Sequence, residues 1–223
     1  MKSLTEIILA AILLTNITMV ASSRLMRCIK DIAVQGILIG LLPLAVTDWT
    51  AGFPAGSIIL ASSLNLVVKG ILLPYLLAFV VRRVGVKREI EPFVGYSASV
   101  AIIFLLTALS FLVTSCFNLA EGIISNIAVP AAFATICTGL FMIIARRKAI
   151  TQVIGFLMFE NGIAMFGTSI MLEYGLIMEL GILQDIFVLV FIMGIAFFHI
   201  KKEFAHIDAD QLNKLGDKPT EGI

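Results

Sequence analysis

Residues 57–81 read SIILASSLNLVVKGILLPYLLAFVV, an apolar run of 25 residues whose single charged residue is Lys69. An α-helix needs about 20 predominantly apolar residues to cross the hydrocarbon core of a bilayer. Helices of globular proteins average only about 10–14 residues, so the run is typical of a transmembrane helix. It decides the fold class because further long apolar runs precede and follow it along the chain.

Seven apolar runs of this kind can be marked, and the first two are the shortest. The predicted spans lie near 7–23, 29–46, 57–81, 93–117, 122–145, 150–172 and 180–200. We therefore predict an all-α, polytopic integral membrane protein with about seven transmembrane helices. Residues 1–121 form an N-terminal four-helix membrane region, residues 122–202 a three-helix membrane region, and residues 203–223 a polar tail.

The composition excludes several classes of protein. Hydrophobic residues make up 60% of the 223 residues and charged residues 14%, with a mean hydropathy of +1.06. Soluble domains carry about a quarter charged residues, which excludes a water-soluble enzyme and a nucleic-acid-binding protein. The net charge of +1 indicates no polyanionic partner. Three widely spaced cysteines without a CxxC pair suggest neither a zinc site nor a disulfide framework.

Basic residues lie in alternate loops and predict the orientation. The connections 47–56, 118–121 and 173–179 contain no Lys or Arg. Short loops rich in Lys and Arg remain cytoplasmic, so the N-terminus is predicted outside and the C-terminus in the cytoplasm. The basic residues of the other connections are Arg24, Arg27, Lys30, Arg82, Arg83, Lys87, Arg88, Arg146, Arg147, Lys148, Lys201 and Lys202.

Three ionisable residues lie well inside predicted spans. Lys69 is at the middle of span three, Glu160 at the middle of span six, and Asp185 about a turn and a half into span seven. A charge at the centre of a transmembrane helix costs about 3 kcal/mol on insertion scales. Such residues face the bundle interior, pair with one another or line a hydrated path.

A lysine and carboxylates at similar depth are the parts of a proton relay. At 1.5 Å per residue, Asp185 lies about 8 Å and Glu160 about 18 Å from the outer ends of their helices. The two carboxylates are then stepped by about 10 Å, a gap that one or two waters can bridge. Glu179 and His199, near the two ends of span seven, are candidate ends of this pathway, although ordinary interfacial roles are the favoured interpretation of both. The structural alternative is a Lys69–Glu160 salt bridge that only locks the bundle.

Two backbone signals accompany these charges. Pro74 lacks an N–H group and frees the carbonyl of Gly70 four residues earlier, which predicts a kinked and locally hydrated helix beside Lys69. Gly36 and Gly40 form a GxxxG pattern in span two, which indicates a close contact with another helix.

Four runs in the C-terminal half of the chain form a recognisable pattern, namely GLFMIIARR at 139–147, IGFLMFENG at 154–162, LQDIF at 183–187 and HIDADQLNKL at 206–215. This part is similar to subunit K of complex I and to the matching small subunit of multisubunit cation/proton antiporters, in which a helix ends in basic residues and the next carries a membrane glutamate. In that family a further acid follows on the third helix, where Asp185 stands in place of the glutamate of complex I.

Four additional spans precede this part, so the whole chain resembles the hydrogenase-4 component E family of group 4 [NiFe]-hydrogenase and formate hydrogenlyase-type complexes. Phe159-Glu160-Asn161-Gly162, the downstream Asp185, and Lys69 five residues before Pro74 carry this resemblance. It is strongest over 139–215.

The resemblance implies a non-catalytic membrane-arm subunit that contributes to proton or sodium translocation coupled to electron transfer. Glu160, Asp185 and Lys69 would form its proton pathway. It implies no cofactor on this chain, with the [NiFe] centre and iron–sulfur clusters on partner subunits. The implied partners are large antiporter-like subunits, a quinone-site-type membrane anchor subunit and a soluble hydrogenase-type arm, in the cytoplasmic membrane of a prokaryote. A cation/proton antiporter subunit without a redox partner, or a structural scaffold, remain alternatives.

Overall fold

The structure is a computed structural model that describes residues 2–47, 56–84, 93–116 and 126–169, and positions 181, 185–188, 190, 192 and 194. This part of the chain is helical and contains no β-strand. The fold class predicted from the sequence is therefore confirmed at the level of an all-helical protein.

Seven α-helices and one π-helical turn follow one another in the continuous ranges, and residues 185–188 are helical as well. The elements are α1 (Lys2–Ala21), α2 (Leu25–Val46), α3 (Gly56–Val67), the π turn (Val68–Leu72), α4 (Leu73–Val84), α5 (Tyr96–Ser115), α6 (Ala128–Ala145) and α7 (Ala149–Ser169).

Six of the predicted spans coincide with helices that are long and apolar enough to cross a membrane. α3, the π turn and α4 together form one of them, the 27-residue stretch Gly56–Arg82. The first two spans are longer than predicted, because α1 begins at Lys2 and α2 at Leu25. Most of the predicted seventh span and the whole tail 203–223 lie outside the described residues.

The third span is irregular where Gly70 and Pro74 predict a break. The N–H of Leu73 donates to the carbonyl of Val68, five residues earlier, which is the π-helical pattern. Wide turns of this kind are a common cause of helix bending. Lys69 belongs to the π turn, and the turn buries its side chain.

The GxxxG pattern of α2 forms the predicted close contact, and its partner is the third span. A Cβ atom on Gly36 would collide with the carbonyl oxygen of Lys69, and one on Gly40 would lie 2.9 Å from the Cα of Leu66. Glycine at both positions therefore lets the backbone of α2 approach the π turn and α3 directly.

Two apolar clusters fill the bundle at different levels. The first contains Met19, Ile32, Leu73, Leu157 and Met158 among its buried residues. The second is built on α1, α2, α6 and α7 and includes Leu9, Ile12, Ile39, Ala131 and Met165.

A layer of polar side chains separates the two clusters. On α1, Asn16 lies between Ile12 and Met19, which belong to different clusters. Gln35 and Glu160 occupy the corresponding levels of α2 and α7. Apolar residues therefore lie on both sides of this layer along α1, α2 and α7.

Arg146 differs from its sequence-based interpretation as a loop residue. It directly follows α6, but its side chain is only 1% exposed. Its Nη2 donates to the carbonyl of Val20 at 2.9 Å, and its guanidinium carbon lies 4.9 Å from the ring centre of Tyr96. The arginine therefore ties the end of α6 to α1 and α5.

Candidate functional site

The candidate site is a buried cluster of one ammonium and two carboxylate groups inside the bundle. Lys69 comes from the π turn, Glu160 from α7, and Asp185 from the helical residues 185–188. Their exposed fractions are 5%, 2% and 7%. The structure thus brings together the three residues that were predicted from the sequence to form a proton pathway.

Lys69 contacts both carboxylates. Its Nζ donates to Oε1 of Glu160 at 2.6 Å, and it lies 3.6 Å from Oδ1 of Asp185. The first contact is a short, charge-assisted hydrogen bond, and the second is an ion pair beyond ordinary hydrogen-bonding distance. A small movement of the Lys69 side chain would make Asp185, and not Glu160, its closer partner.

The predicted separation of the two carboxylates is wrong. The sequence estimate placed them about 10 Å apart along the helix axes. Oxygens that lie 2.6 Å and 3.6 Å from the same nitrogen must be considerably closer than that. The estimate counted residues from span ends, whereas helix stagger and side-chain reach determine where the oxygens lie.

The carboxyl groups of Glu160 and Asp185 also lie close enough to interact with each other. An ionised carboxylate is only an acceptor, so a bond between them forms when one carries a proton. Among the described residues, no donor forms a hydrogen bond to Oε2 of Glu160 or Oδ1 of Asp185. Both atoms are buried acceptors that a proton or a small cation can use.

A chain of side-chain hydrogen bonds starts at the residue after Glu160. Asn161 Nδ2 donates to Gln35 Oε1 at 3.1 Å, and Gln35 Nε2 donates to Asn16 Oδ1 at 2.7 Å. Asn16 Nδ2 then donates to Thr135 Oγ1 at 2.9 Å. The chain connects α7, α2, α1 and α6 at the level of the polar layer.

At the end of this series of hydrogen bonds, the hydroxyl of Thr135 donates to the backbone carbonyl of Ala131 at 2.8 Å. Every bond of the chain therefore has the same direction. Amide groups do not exchange protons as carboxylates do, so the chain positions helices and offers no titratable site. Sequence reasoning missed Asn16, Gln35 and Thr135 in this role, although polar residues in the middle of apolar spans were the available signal.

Glu179 and His199, the candidate ends of the pathway, lie outside the described residues. In the part of the chain that is described, no group of three or more His, Cys, Asp or Glu side chains is placed to hold a metal ion.

The chain belongs to the same family as the uncharacterized protein Rv0085 of Mycobacterium tuberculosis (strain ATCC 25618 / H37Rv). The two are 32% identical over 212 residues, which cover 92% of this chain and 93% of the mycobacterial protein. No family model matches the chain. No solved structure matches it either.

Proposed function

We propose that this chain is a non-catalytic membrane-arm subunit of a hydrogenase-4-like, complex I-related complex. Its role is to contribute to proton translocation, or sodium translocation, coupled to electron transfer elsewhere in the complex. The observation that carries the proposal is the contact of Lys69 with both Glu160 and Asp185 inside the bundle. The resemblance of residues 139–215 to subunit K supplies the type of complex.

The charge balance of the cluster suits a carrier. One ammonium and two carboxylates leave a net charge of −1 when all three groups are ionised. A net charge is unfavourable in a poorly solvated site, and uptake of one proton or one small cation neutralises it. In the proposal, Glu160 takes the proton, its attraction for Lys69 falls, and Lys69 moves toward Asp185. Release of the proton restores the short contact.

The proposed route runs within the membrane plane. The two apolar clusters exclude water above and below the polar layer, so exchange through them is unfavourable. Asp185 lies closest to the periphery, since its neighbours Ile186 and Phe187 are 54% and 63% exposed. Asp185 would therefore pass the ion sideways to a neighbouring subunit.

The partners of this chain and the location of the complex are proposed from the resemblance alone. They are large antiporter-like subunits, a quinone-site-type membrane anchor subunit and a soluble hydrogenase-type arm with the [NiFe] centre and iron–sulfur clusters. The complex would lie in the cytoplasmic membrane of a prokaryote, with the tail 203–223 in the cytoplasm.

A structural scaffold is the second candidate, and two observations favour it. The Lys69–Glu160 salt bridge that such a scaffold needs is present, and the amide chain from Asn161 to Thr135 joins four helices. An antiporter subunit without redox partners uses the same cluster and differs only in its neighbours.

The first experiment identifies those neighbours. The tail is tagged in the native host, the membranes are extracted in mild detergent, and copurifying proteins are identified by mass spectrometry. Hydrogenase-type and iron–sulfur subunits together with antiporter-like subunits are the expected result. Antiporter-like subunits alone would favour the exchanger, and a protein that purifies alone would contradict both forms of the proposal.

The second experiment separates a carrier from a scaffold. Glu160→Gln keeps the shape of the side chain and removes the group that takes the proton, while Asp185 remains as a partner for Lys69. We expect an assembled complex with strongly reduced ion translocation. Glu6→Gln is the matched control, because Glu6 is an exposed carboxylate of α1. Normal translocation in an assembled Glu160→Gln complex would refute the carrier role, and loss of assembly would favour the scaffold.

A further inference from the structure

A cavity of about 620 Å³ lies at the turn between α1 and α2, away from the charge cluster. Its volume falls within the range of about 300–1,000 Å³ that is common for small-ligand sites. The polar residues that line it are Ser22, Ser23, Arg24, Arg27, Lys30 and Asp31, and Ala21 and Met26 add apolar surface.

The cavity is electropositive. Arg24, Arg27 and Lys30 are exposed, and they contribute three positive charges from fewer than two turns of chain. Within the described ranges, Lys69 forms the ion pairs with Glu160 and Asp185, whereas these three residues form none.

Asp31 opposes this charge only in part. Its Oδ2 atom is fully buried, and Thr18 of α1 and Arg27 lie within interaction range of its carboxylate. One carboxylate against three cations leaves the lining with a net charge of +2.

The start of α2 adds donors to the same place. The N–H groups of Arg27 and Cys28 both donate to the carbonyl of Arg24, at 2.9 Å and 3.2 Å. The N–H groups of Leu25 and Met26, in the first turn, have no intrahelical acceptor. They lie at the positive end of the helix dipole, which attracts anions.

The position of the cavity indicates where a bound anion would come from. α1 and α2 are both long and apolar enough to cross a membrane, so the turn that joins them lies at the membrane surface. Phosphate groups of lipids are concentrated at this depth, and basic residues near such a surface attract them.

We propose that the cavity at the α1–α2 turn binds a phosphate-bearing anion, held by Arg24, Arg27 and Lys30 and by the first N–H groups of α2. The phosphate can belong to an anionic phospholipid headgroup or to a small phosphate ion from the aqueous phase. This inference is independent of ion translocation by the buried cluster.

The test uses the full-length protein in phosphatidylcholine nanodiscs with and without a minor fraction of phosphatidylglycerol. Native mass spectrometry after release counts the retained lipids, and parallel titrations use inorganic phosphate and glycerol 3-phosphate. Arg24→Gln/Arg27→Gln is compared with Arg82→Gln/Lys148→Gln, which removes the same charge from one exposed and one half-buried residue that do not line the cavity.

We expect selective retention of phosphatidylglycerol that falls about 10- to 30-fold in the cavity variant, since each basic residue near an anionic surface contributes about fivefold. The control variant should retain it. Binding of inorganic phosphate or glycerol 3-phosphate with the same loss would support the site and identify a soluble anion as its ligand. An equal fall in both variants would show diffuse surface attraction and overturn the proposal, as would unchanged retention in the cavity variant.

A variant with unchanged charge provides a second test. Ala21 is exposed and lines the cavity, so Ala21→Trp fills the space without removing a cation. Retention of phosphatidylglycerol should fall in this variant as well. Full retention would mean that the cavity is not where the anion binds.

Discussion

The Nζ atom of Lys69 and the Oε1 atom of Glu160 lie 2.6 Å apart, although 91 residues separate them in the chain. The contact joins the predicted N-terminal membrane region 1–121 to the predicted three-helix membrane region 122–202. It occurs where α2 presents Gly36 to the carbonyl of Lys69, so that one small residue lets the π turn settle deep inside the bundle.

The cluster predicts unequal effects of removing its members. Lys69→Met leaves two neighbouring buried carboxylates without a cation and should destabilise the protein by about 3–5 kcal/mol. Glu160→Gln leaves Lys69 with Asp185, so its effect should be clearly smaller. Unfolding in detergent measures both, with Glu6→Gln as the control at an exposed position. Equal losses would contradict a cluster in which one lysine serves two acids.

The contact of Gly36 with the π turn predicts a large effect of a small substitution. Gly36→Ala places a methyl group against the Lys69 carbonyl and should destabilise the protein by about 1–3 kcal/mol, typical of overpacking. Gly95→Ala is the control, because a Cβ there meets nothing within 4 Å. Thermal unfolding of the purified variants compares the two positions, and an unaffected Gly36→Ala protein would show that α2 does not pack this closely.

The amide chain predicts energetic coupling between α2 and α7. Gln35→Met and Asn161→Leu should each destabilise the protein by about 1–3 kcal/mol, since each leaves buried polar partners unsatisfied. The double variant should lose less than the sum, because the second substitution removes a group that has already lost its partner. A double-mutant cycle in unfolding free energy measures this coupling. Strict additivity would contradict the bond between Gln35 and Asn161.

The distribution of basic residues predicts which turns face the cytoplasm. In a background without Cys28, Cys116 and Cys137, Ser23→Cys should react with an impermeant maleimide from the cytoplasmic side. Thr47→Cys, at the other end of α2, should react from the outside. Labelling in intact and in lysed cells distinguishes the sides. Reaction of both positions from one side would contradict a crossing by α2.

The sequence was sufficient for the helices that depend on local composition. Six spans follow from apolar runs, and the irregularity near Gly70 follows from Pro74, because both signals act within a few residues. The members of the charge cluster were also identifiable, since a charge such as that of Lys69 in an apolar run needs a partner.

Contacts between helices were harder to predict from the sequence. The separation of Glu160 from Asp185 depends on how far one helix is displaced along another. This displacement cannot be obtained by counting residues along the sequence. Gln35 and Asn16 are polar residues in apolar spans, but their pairing requires α1 and α2 to have one particular rotation about their axes. Side-chain packing of the whole bundle sets that rotation.

The polar layer between the two apolar clusters has an electrical consequence. Lys69 Nζ lies 2.6 Å from Glu160 and 3.6 Å from Asp185, so a proton that moves among the three groups would cross only a small part of the thickness of a membrane. The membrane potential does work only on charge that moves along the membrane normal, about 2.3 kcal/mol per elementary charge for a full crossing at 100 mV. In the proposed ion pathway, exchange among these groups should therefore be nearly insensitive to voltage, and any voltage dependence of translocation would arise where ions enter and leave through the proposed neighbouring proteins.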